Sequence, residues 1–224
     1  VASDPDPDAP PDDEKKDDAK TPKPIVTKRI QFKFDTQGYL KELRSHLHVF
    51  DVEKKTSVQI TSGPYDDDQP AWSPDGKTVA FVSNRTAEPD TNRDSNIFLI
   101  APIGGETPKA ITTNPSEDQR PAWSPDGKTI VYVAGGAVAD MWYGPTHVST
   151  VNVATGEVKA LTKSLDRNVG APLFSGDGRA ILFTIEDGGN SHLGRVSAEG
   201  GAIERIVAGE RDVESFDTRG GRIV

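Results

Sequence analysis

Short runs of apolar residues alternate with polar ones along the chain, and turn residues bound each run. After Pro70 this pattern predicts four β-strands, at residues 71–73, 78–83, 96–101 and 109–112. The first two are joined by Pro74, Asp75 and Gly76, a sequence typical of a tight turn. The pattern therefore predicts a small antiparallel sheet of four strands.

This four-strand pattern is repeated. PAWSPDGKTVAFVSN starts at Pro70, PAWSPDGKTIVYVAG starts at Pro121, and the degenerate APLFSGDGRAILFTI has its proline at Pro172, so the period is 51 residues both times. Periods of about 40 to 50 residues with several short strands are typical of propeller blades, whose sheets cannot bury both faces alone. We predict an all-β fold, a β-propeller segment of four-stranded blades with three complete blades and two partial ones.

The partial blades lie at the two ends of the repeat region. Residues 46–52 and 57–61 are the predicted third and fourth strands of one blade, and residues 215–217 and 221–224 begin another repeat near position 214. A chain that stops within a strand leaves an edge open to pairing. We therefore expect both ends to continue in a longer polypeptide.

Two repeat positions have predicted structural roles. The turn glycines Gly76, Gly127 and Gly178 supply the positive φ that lets two strands pair with their native twist. A large ring recurs at Trp72, Trp123 and Phe174. Because each repeat packs against its neighbours at a fixed period, we expect these rings to be buried between blades. The alternative is an aromatic cage for a cation.

Charge and composition limit the classes of function that the chain can have. The formal net charge is −9, with no basic stripe, which argues against nucleic acid as a partner. Residues 1–24 carry eight acidic residues and four lysines but few large apolar ones, which predicts a flexible insertion before a propeller region at 25–224. Calcium binding by this acidic run is an alternative, although it lacks a glycine-centred loop.

The chain lacks the residues that several other kinds of site require. The chain has no cysteine, which excludes disulfides, thiolate zinc sites and a cysteine nucleophile. No apolar run approaches the roughly 18 residues of a membrane span, and Val1 does not begin a signal peptide. Gly76-Lys77-Thr78 resembles the end of a phosphate-binding loop, but Ala71 stands where that loop needs its first glycine. We therefore predict no cofactor.

The remaining candidates are histidines and acidic residues. His46 and His48 are two apart on a predicted strand, so they could share a face as metal ligands. The repeats favour local hydrogen bonding instead, because a hydroxyl residue followed by His or Asn opens the third strand of each blade, at Ser45, Ser95, Thr146 and Ser191. Residues 66–68 and Glu117–Asp118 precede first strands. They are interpreted either as solvated loop charge or as an acidic rim that attracts the amino terminus of a substrate.

The repeats resemble a known family. PAWSPDGKT is shared by TolB-like propellers and by the propellers of the prolyl oligopeptidase family. The stretch from SDPDPDAPPDDEKK through TPKPIVTKRIQFKFDTQGYLKELRSHLHVFDV to PYDDDQPAWSPDG resembles bacterial acylaminoacyl-peptidase and dipeptidyl-aminopeptidase members, in which an insertion sits inside one blade. The resemblance implies a larger parent polypeptide whose C-terminal α/β-hydrolase domain supplies Ser, Asp and His, while the propeller restricts access to short peptides.

This segment lacks the nucleophile elbow that such a hydrolase domain needs. The nearest match to G-x-S-x-G runs from Gly189 to Leu193, where Leu193 replaces the second glycine. We therefore predict no catalytic and no metal-binding residues in the chain, and a parent that hydrolyses short peptides. Two rivals are a TolB-like propeller that binds partner proteins in the bacterial periplasm and a scaffold that joins subunits, including copies of itself.

Overall fold

A computed structural model describes residues 2–3, 24–140, 143–219 and 221–224. In this part of the chain the regular structure consists of β-strands and two short 3₁₀ helices, Pro89–Thr91 and Val138–Asp140. None of the helices in these ranges is long and apolar enough to cross a membrane. The predicted flexible insertion at 1–24 lies outside the described residues except for Ala2, Ser3 and Pro24.

The first six strands form one partial blade and a separate hairpin. They are β1 (Ala2–Ser3), β2 (Lys33–Phe34), β3 (Gly38–Tyr39), β4 (Ser45–His46), β5 (His48–Asp51) and β6 (Thr56–Gln59). Pairing of β1 with β4 and of β5 with β6 defines blade I. Within the described residues, strands β2 and β3 pair only with each other, while Ser3 at the end of β1 pairs with Ser45 at the start of β4.

Three complete blades follow, as the 51-residue period predicts. Blade II contains β7 (Asp67–Trp72), β8 (Val79–Ser83), β9 (Asn96–Ile100) and β10 (Lys109–Ala110). Blade III contains β11 (Asp118–Trp123), β12 (Thr129–Ala134), β13 (His147–Asn152) and β14 (Val158–Ala160). Blade IV contains β15 (Val169–Phe174), β16 (Ala180–Asp187), β17 (Asn190–Ser197) and β18 (Glu204–Val207). Each is an antiparallel sheet whose strands pair in chain order.

Two predicted boundaries need correction. The first strand of blade II begins at Asp67 rather than at Ala71, because Asp67 and Asp68 pair with Ser83 and Val82. The last partial blade, blade V, consists of β19 (Thr218–Arg219) and β20 (Arg222–Ile223). The first strand of blade V was predicted at residues 215–217 and therefore begins later than expected. Of those three residues, only Asp217 joins the ladder, through two backbone hydrogen bonds to Val224.

The hydrophobic core fills the spaces between successive blades. One cluster joins Leu47 and Ile60 of blade I to Phe81 and Phe98 of blade II, and two further clusters join blades II to III and III to IV. A four-stranded sheet thus buries each face against a neighbouring blade. This packing explains why the second strands are nearly all apolar instead of alternating.

The predicted turns are present in all three repeats. In blade II, Ser73 Oγ donates to Asp75 Oδ1 at 2.7 Å and accepts a hydrogen bond from the Thr78 backbone at 3.0 Å. Gly76 closes the turn at φ 69°, and Gly127 and Gly178 adopt 70° and 72°. The glycines that resembled a phosphate-binding loop are therefore hairpin glycines.

The recurring rings occupy equivalent strand ends, but the prediction that all three are buried is wrong. Phe174 is 7% exposed, Trp123 is partly buried, and Trp72 is 51% exposed. Trp123 Nε1 donates to the Ala71 carbonyl of the preceding blade at 3.0 Å. The described part of blade I places no first strand beside Trp72, so this ring has no corresponding acceptor or cover.

This difference predicts unequal effects of the same substitution. Trp123→Phe removes a hydrogen bond between blades and should destabilise the chain by about 1 kcal/mol. Trp72→Phe removes an exposed indole, and its effect should stay within about 0.5 kcal/mol. Urea denaturation of both variants measures the two losses. Equal losses would contradict the assignment of Trp123 as a contact between blades.

Candidate functional site

The candidate site lies at one end of the sheets. In an antiparallel blade, the start of strand one, the end of strand two, the start of strand three and the end of strand four share an end. The loops that join strands two and three and the links between blades therefore lie together, and we call this end the loop face. A cavity of about 710 Å³ opens there, within the size range of small-ligand sites.

The cavity is lined from three successive blades. Its polar and charged walls come from the starts of β11 and β15 and from the loops around them, including Arg93, Glu117, Arg120, Asn168, Glu186 and Glu214. Its apolar surface includes Val133, Val169 and Val213. A cavity that combines apolar surface with a few charged groups can accept a ligand that carries both.

A β-bulge shapes the first strand of every complete blade. The register shifts just before the proline of each repeat, and Gln69, Arg120 and Ala171 adopt positive φ values of 52°, 53° and 46°. The bulges of blades II and III are linked, because the Arg120 backbone N–H donates to Gln69 Oε1 at 2.6 Å. The predicted strands did not include this bulge, whose signal in the sequence is the proline within each first strand, because proline in a strand is confined to edges and bulges.

The three acidic residues at 66–68 differ: Asp67 is buried and paired, Asp66 is paired but partly exposed, and Asp68 is exposed. The expectation of solvated loop charge or an acidic rim is therefore wrong for Asp67. Asp67 is fully buried in β7, where Arg85 Nη2 lies 2.6 Å from Oδ1 and His46 Nδ1 lies 3.2 Å from Oδ2. The Arg85 guanidinium also stacks over three rings, those of Tyr65, Phe98 and Phe81, at 4.8, 5.3 and 5.6 Å. This cluster is an internal link between blades I and II.

Asp118 occupies the same repeat position in blade III without the arginine. Gly136 stands 51 residues after Arg85, and the described residues offer no hydrogen-bond partner for Asp118 Oδ2. Asn114 Nδ2 donates to Asp118 Oδ1 at 2.5 Å. Burial, together with the nearby Asp94 carboxylate, raises the pKa of Asp118 to about 7. Asp118 is therefore a buried carboxyl group that changes its protonation state near neutral pH.

Two further acidic residues of these groups, Asp66 and Glu117, have cationic neighbours. Asp66 lies 2.8 Å from Arg44 and 3.3 Å from Arg29, and both arginines also contact Asp90 at 3.2 Å. Glu117 pairs with Arg93. The cluster of Asp66 and Asp90 with the two arginines attaches the segment 24–44 to the loop face. Arg29 and Arg44 belong to this segment, whereas the two aspartates belong to the blades.

The two candidate histidine ligands do not form a common site. His46 is buried against Asp67, whereas His48 is exposed and lies 3.4 Å from Ser57 Oγ. Within the described ranges, no group of three His, Asp or Glu residues is arranged to hold a metal ion. The strand-opening hydroxyls do form hydrogen bonds, but not the local ones that were expected: in blade III, Thr146 Oγ1 donates to the Val169 carbonyl at 2.8 Å and links blade III to blade IV.

Ser191, the serine nearest to an elbow sequence, lies in the strand β17. Its Oγ donates to the Val213 carbonyl at 3.1 Å, and its backbone N–H donates to Asp212 Oδ1 at 2.8 Å. The neighbouring His192 is held by the Gly209 carbonyl at 2.9 Å. Both side chains thus anchor the segment that leads into blade V, and neither is arranged as a nucleophile and its base.

Comparison with known proteins identifies the class to which this architecture belongs. The family model for the TolB beta propeller domain matches residues 36–215. The chain therefore belongs to the TolB β-propeller family.

Individual relatives include peptidases. The chain is 29% identical over 170 residues to the peptidase YuxL of Bacillus subtilis, covering 62% of this chain and 25% of the relative. It is 25% identical over 154 residues to dipeptidyl-peptidase 5 of Porphyromonas gingivalis, covering 66% and 22%. The chain thus spans about a quarter of the length of these relatives.

A solved structure extends the likeness in fold. The acylaminoacyl peptidase of Pyrococcus horikoshii superposes with a TM-score of 0.61 at 16% identity, covering 88% of this chain and 29% of that protein. The propeller fold predicted from the repeats is therefore confirmed.

Proposed function

We propose that this chain is the non-catalytic propeller portion of a serine peptidase that hydrolyses short peptides. In this proposal the propeller gates and orients the substrate for a C-terminal α/β-hydrolase domain of the same polypeptide. The observation that carries it is the match to two peptidases over about a quarter of their length, which leaves most of each relative for other domains. The cavity on the loop face supports a role in substrate contact.

The physical argument for a gating role is one of access. A substrate that must enter through or beside a propeller meets the first strands and the loops of its blades, which here carry both charged and apolar side chains. The described serines and histidines lie in turns and strands of different blades. A triad instead needs a nucleophile, a base within hydrogen-bond reach and an orienting acid. Chemistry is therefore assigned to the hydrolase domain.

The test compares the chain with the longer polypeptide encoded by its gene. Aminoacyl, acylaminoacyl and dipeptidyl chromogenic amides are offered to both proteins, and we expect cleavage by the longer polypeptide alone. Hydrolysis by the purified chain that persists after contaminating proteases are inhibited would refute the division of roles. A folded but inert longer polypeptide would favour the second candidate, a protein-binding propeller of the TolB type, which the family match supports.

A further inference from the structure

Among the residues that the structure describes, the loop-face cavity has one arginine without a carboxylate partner. Its lining includes two arginines, Arg93 and Arg120. Arg93 pairs with Glu117. Arg120 is exposed, and no described carboxylate lies within ion-pair distance of its guanidinium. Its charge is therefore available to a ligand.

The backbone of Arg120 is held in place. Its N–H donates to Gln69 Oε1 of blade II, its φ is fixed in the left-handed region, and Pro121 follows directly. A guanidinium presents planar paired donors that match a carboxylate in a bidentate geometry. A fixed backbone reduces the conformational freedom that such a contact must restrict.

The repeat also explains why there is space beside this arginine. The bulge position carries Gln69 in blade II, Arg120 in blade III and Ala171 in blade IV. Ala171 and the preceding Gly170 line the same cavity and have no long side chain to fill it. Blade IV contributes Glu186, and the link that follows it contributes Glu214. These carboxylates disfavour a ligand with several negative charges and suit one that also carries an ammonium group.

We propose that Arg120 binds a carboxylate group of a short peptide in this cavity, so that the propeller contributes to substrate specificity. This inference rests on the proposed function, since it names a substrate group that the gating propeller reads. The carboxylate can be the free C-terminus or an acidic side chain. A charge-assisted hydrogen bond contributes roughly 1.5–3 kcal/mol, which corresponds to a preference of about 10- to 100-fold.

The experiment uses the longer polypeptide and three matched short peptides. One has a free C-terminal carboxylate, one has a C-terminal amide with neutral side chains, and one has a C-terminal amide with an Asp side chain. We expect at least one carboxylate peptide to exceed the neutral amide by about tenfold in kcat/KM, mainly through KM. The carboxylate peptide that shows the preference identifies which group is bound.

Variants attribute the preference to Arg120. Arg120→Met should reduce the carboxylate-to-amide ratio to about one, and Arg120→Lys should leave an intermediate ratio because it keeps the charge without the planar fork. Ala171→Gln, which introduces the residue found in blade II, should lower the preference by filling the space. Arg211→Met, which removes an exposed arginine outside the cavity, should leave the ratio unchanged.

Binding measurements separate this inference from the proposed function. If the wild-type polypeptide hydrolyses none of the peptides, the proposed function fails, and calorimetric titration with the same peptides decides the inference by itself. Tighter binding of a carboxylate peptide that disappears in Arg120→Met supports the carboxylate site. Equal affinities for acid and amide peptides, or a preference that survives Arg120→Met, would overturn it.

Discussion

Replacing Arg85 by Met should destabilise the chain by about 3–5 kcal/mol, the loss typical when one partner of a buried ion pair is removed. Asp67 is fully buried, and the substitution leaves Oδ1 without its guanidinium partner. The same substitution removes the cation that stacks over Tyr65, Phe81 and Phe98. Because domains are stable by only about 5–15 kcal/mol, this loss should be obvious in urea denaturation.

A matched control is Arg167→Met in blade IV. Arg167 Nε lies 2.7 Å from Asp187 Oδ1, but its side chain is 46% exposed. Exposed ion pairs contribute about 0–1 kcal/mol, so this variant should resemble the wild type. If the two arginine variants lost the same stability, burial of Asp67 would not be the cause of the effect.

Replacing Asp118 by Asn should stabilise the chain at alkaline pH and remove a pH dependence. The unfolded carboxyl ionises near its ordinary pKa of about 3.9, whereas burial raises the pKa of Asp118 to about 7 in the folded chain. The stability that its protonated form provides is therefore complete below about pH 4 and is lost as the pH rises to about 7. The total loss is on the order of 4 kcal/mol.

The measurement is the free energy of unfolding in urea between pH 4 and pH 8 for wild type and Asp118→Asn. The neutral amide should flatten this part of the profile, since Asn can still accept the hydrogen bond from Asn114. Asp126→Asn is the control. Hydrogen bonds from Ser124 and the Lys128 backbone lower the pKa of Asp126, so its contribution is present above about pH 4 and is lost only in more acidic solution, and this variant should keep the wild-type pH dependence between pH 4 and pH 8. Identical profiles for wild type and Asp118→Asn would disprove the buried-acid assignment.

The blades could be predicted from the sequence because their signal is local and repeated. Each turn needs Gly at a positive φ and each second strand needs a run of apolar residues, so the 51-residue period fixes the hairpins of blades II to IV. The start of β7 was missed because Asp67 and Asp68 look like loop residues. They join the sheet since Arg85 neutralises Asp67 and His46 lies within hydrogen-bond distance of it, contacts between positions distant in the sequence.

The candidate site could be predicted less well, because it depends on how blades differ rather than on what they share. The exposure of Trp72 depends on what the neighbouring blade places beside it, and the raised pKa of Asp118 depends on its burial in the folded chain. The aligned repeats show only that Gly136 stands where blade II has Arg85, because Trp72 itself matches the repeat. The unpaired charge of Arg120 could not be predicted from the aligned repeats, because it depends on which carboxylates the folded chain brings near the guanidinium.

The pairing of β1 with β4 has a consequence for how such proteins can diversify. Ala2 pairs with His46 and Ser3 with Ser45, so the ends of the intervening segment are held together by one ladder. Closing a flexible loop costs only about 0.6 kcal/mol more for each doubling of its length. The intervening segment can therefore grow, shrink or change composition without shifting the register of the blade. Evolution can thus remodel this part of the surface while the order of the propeller strands stays the same.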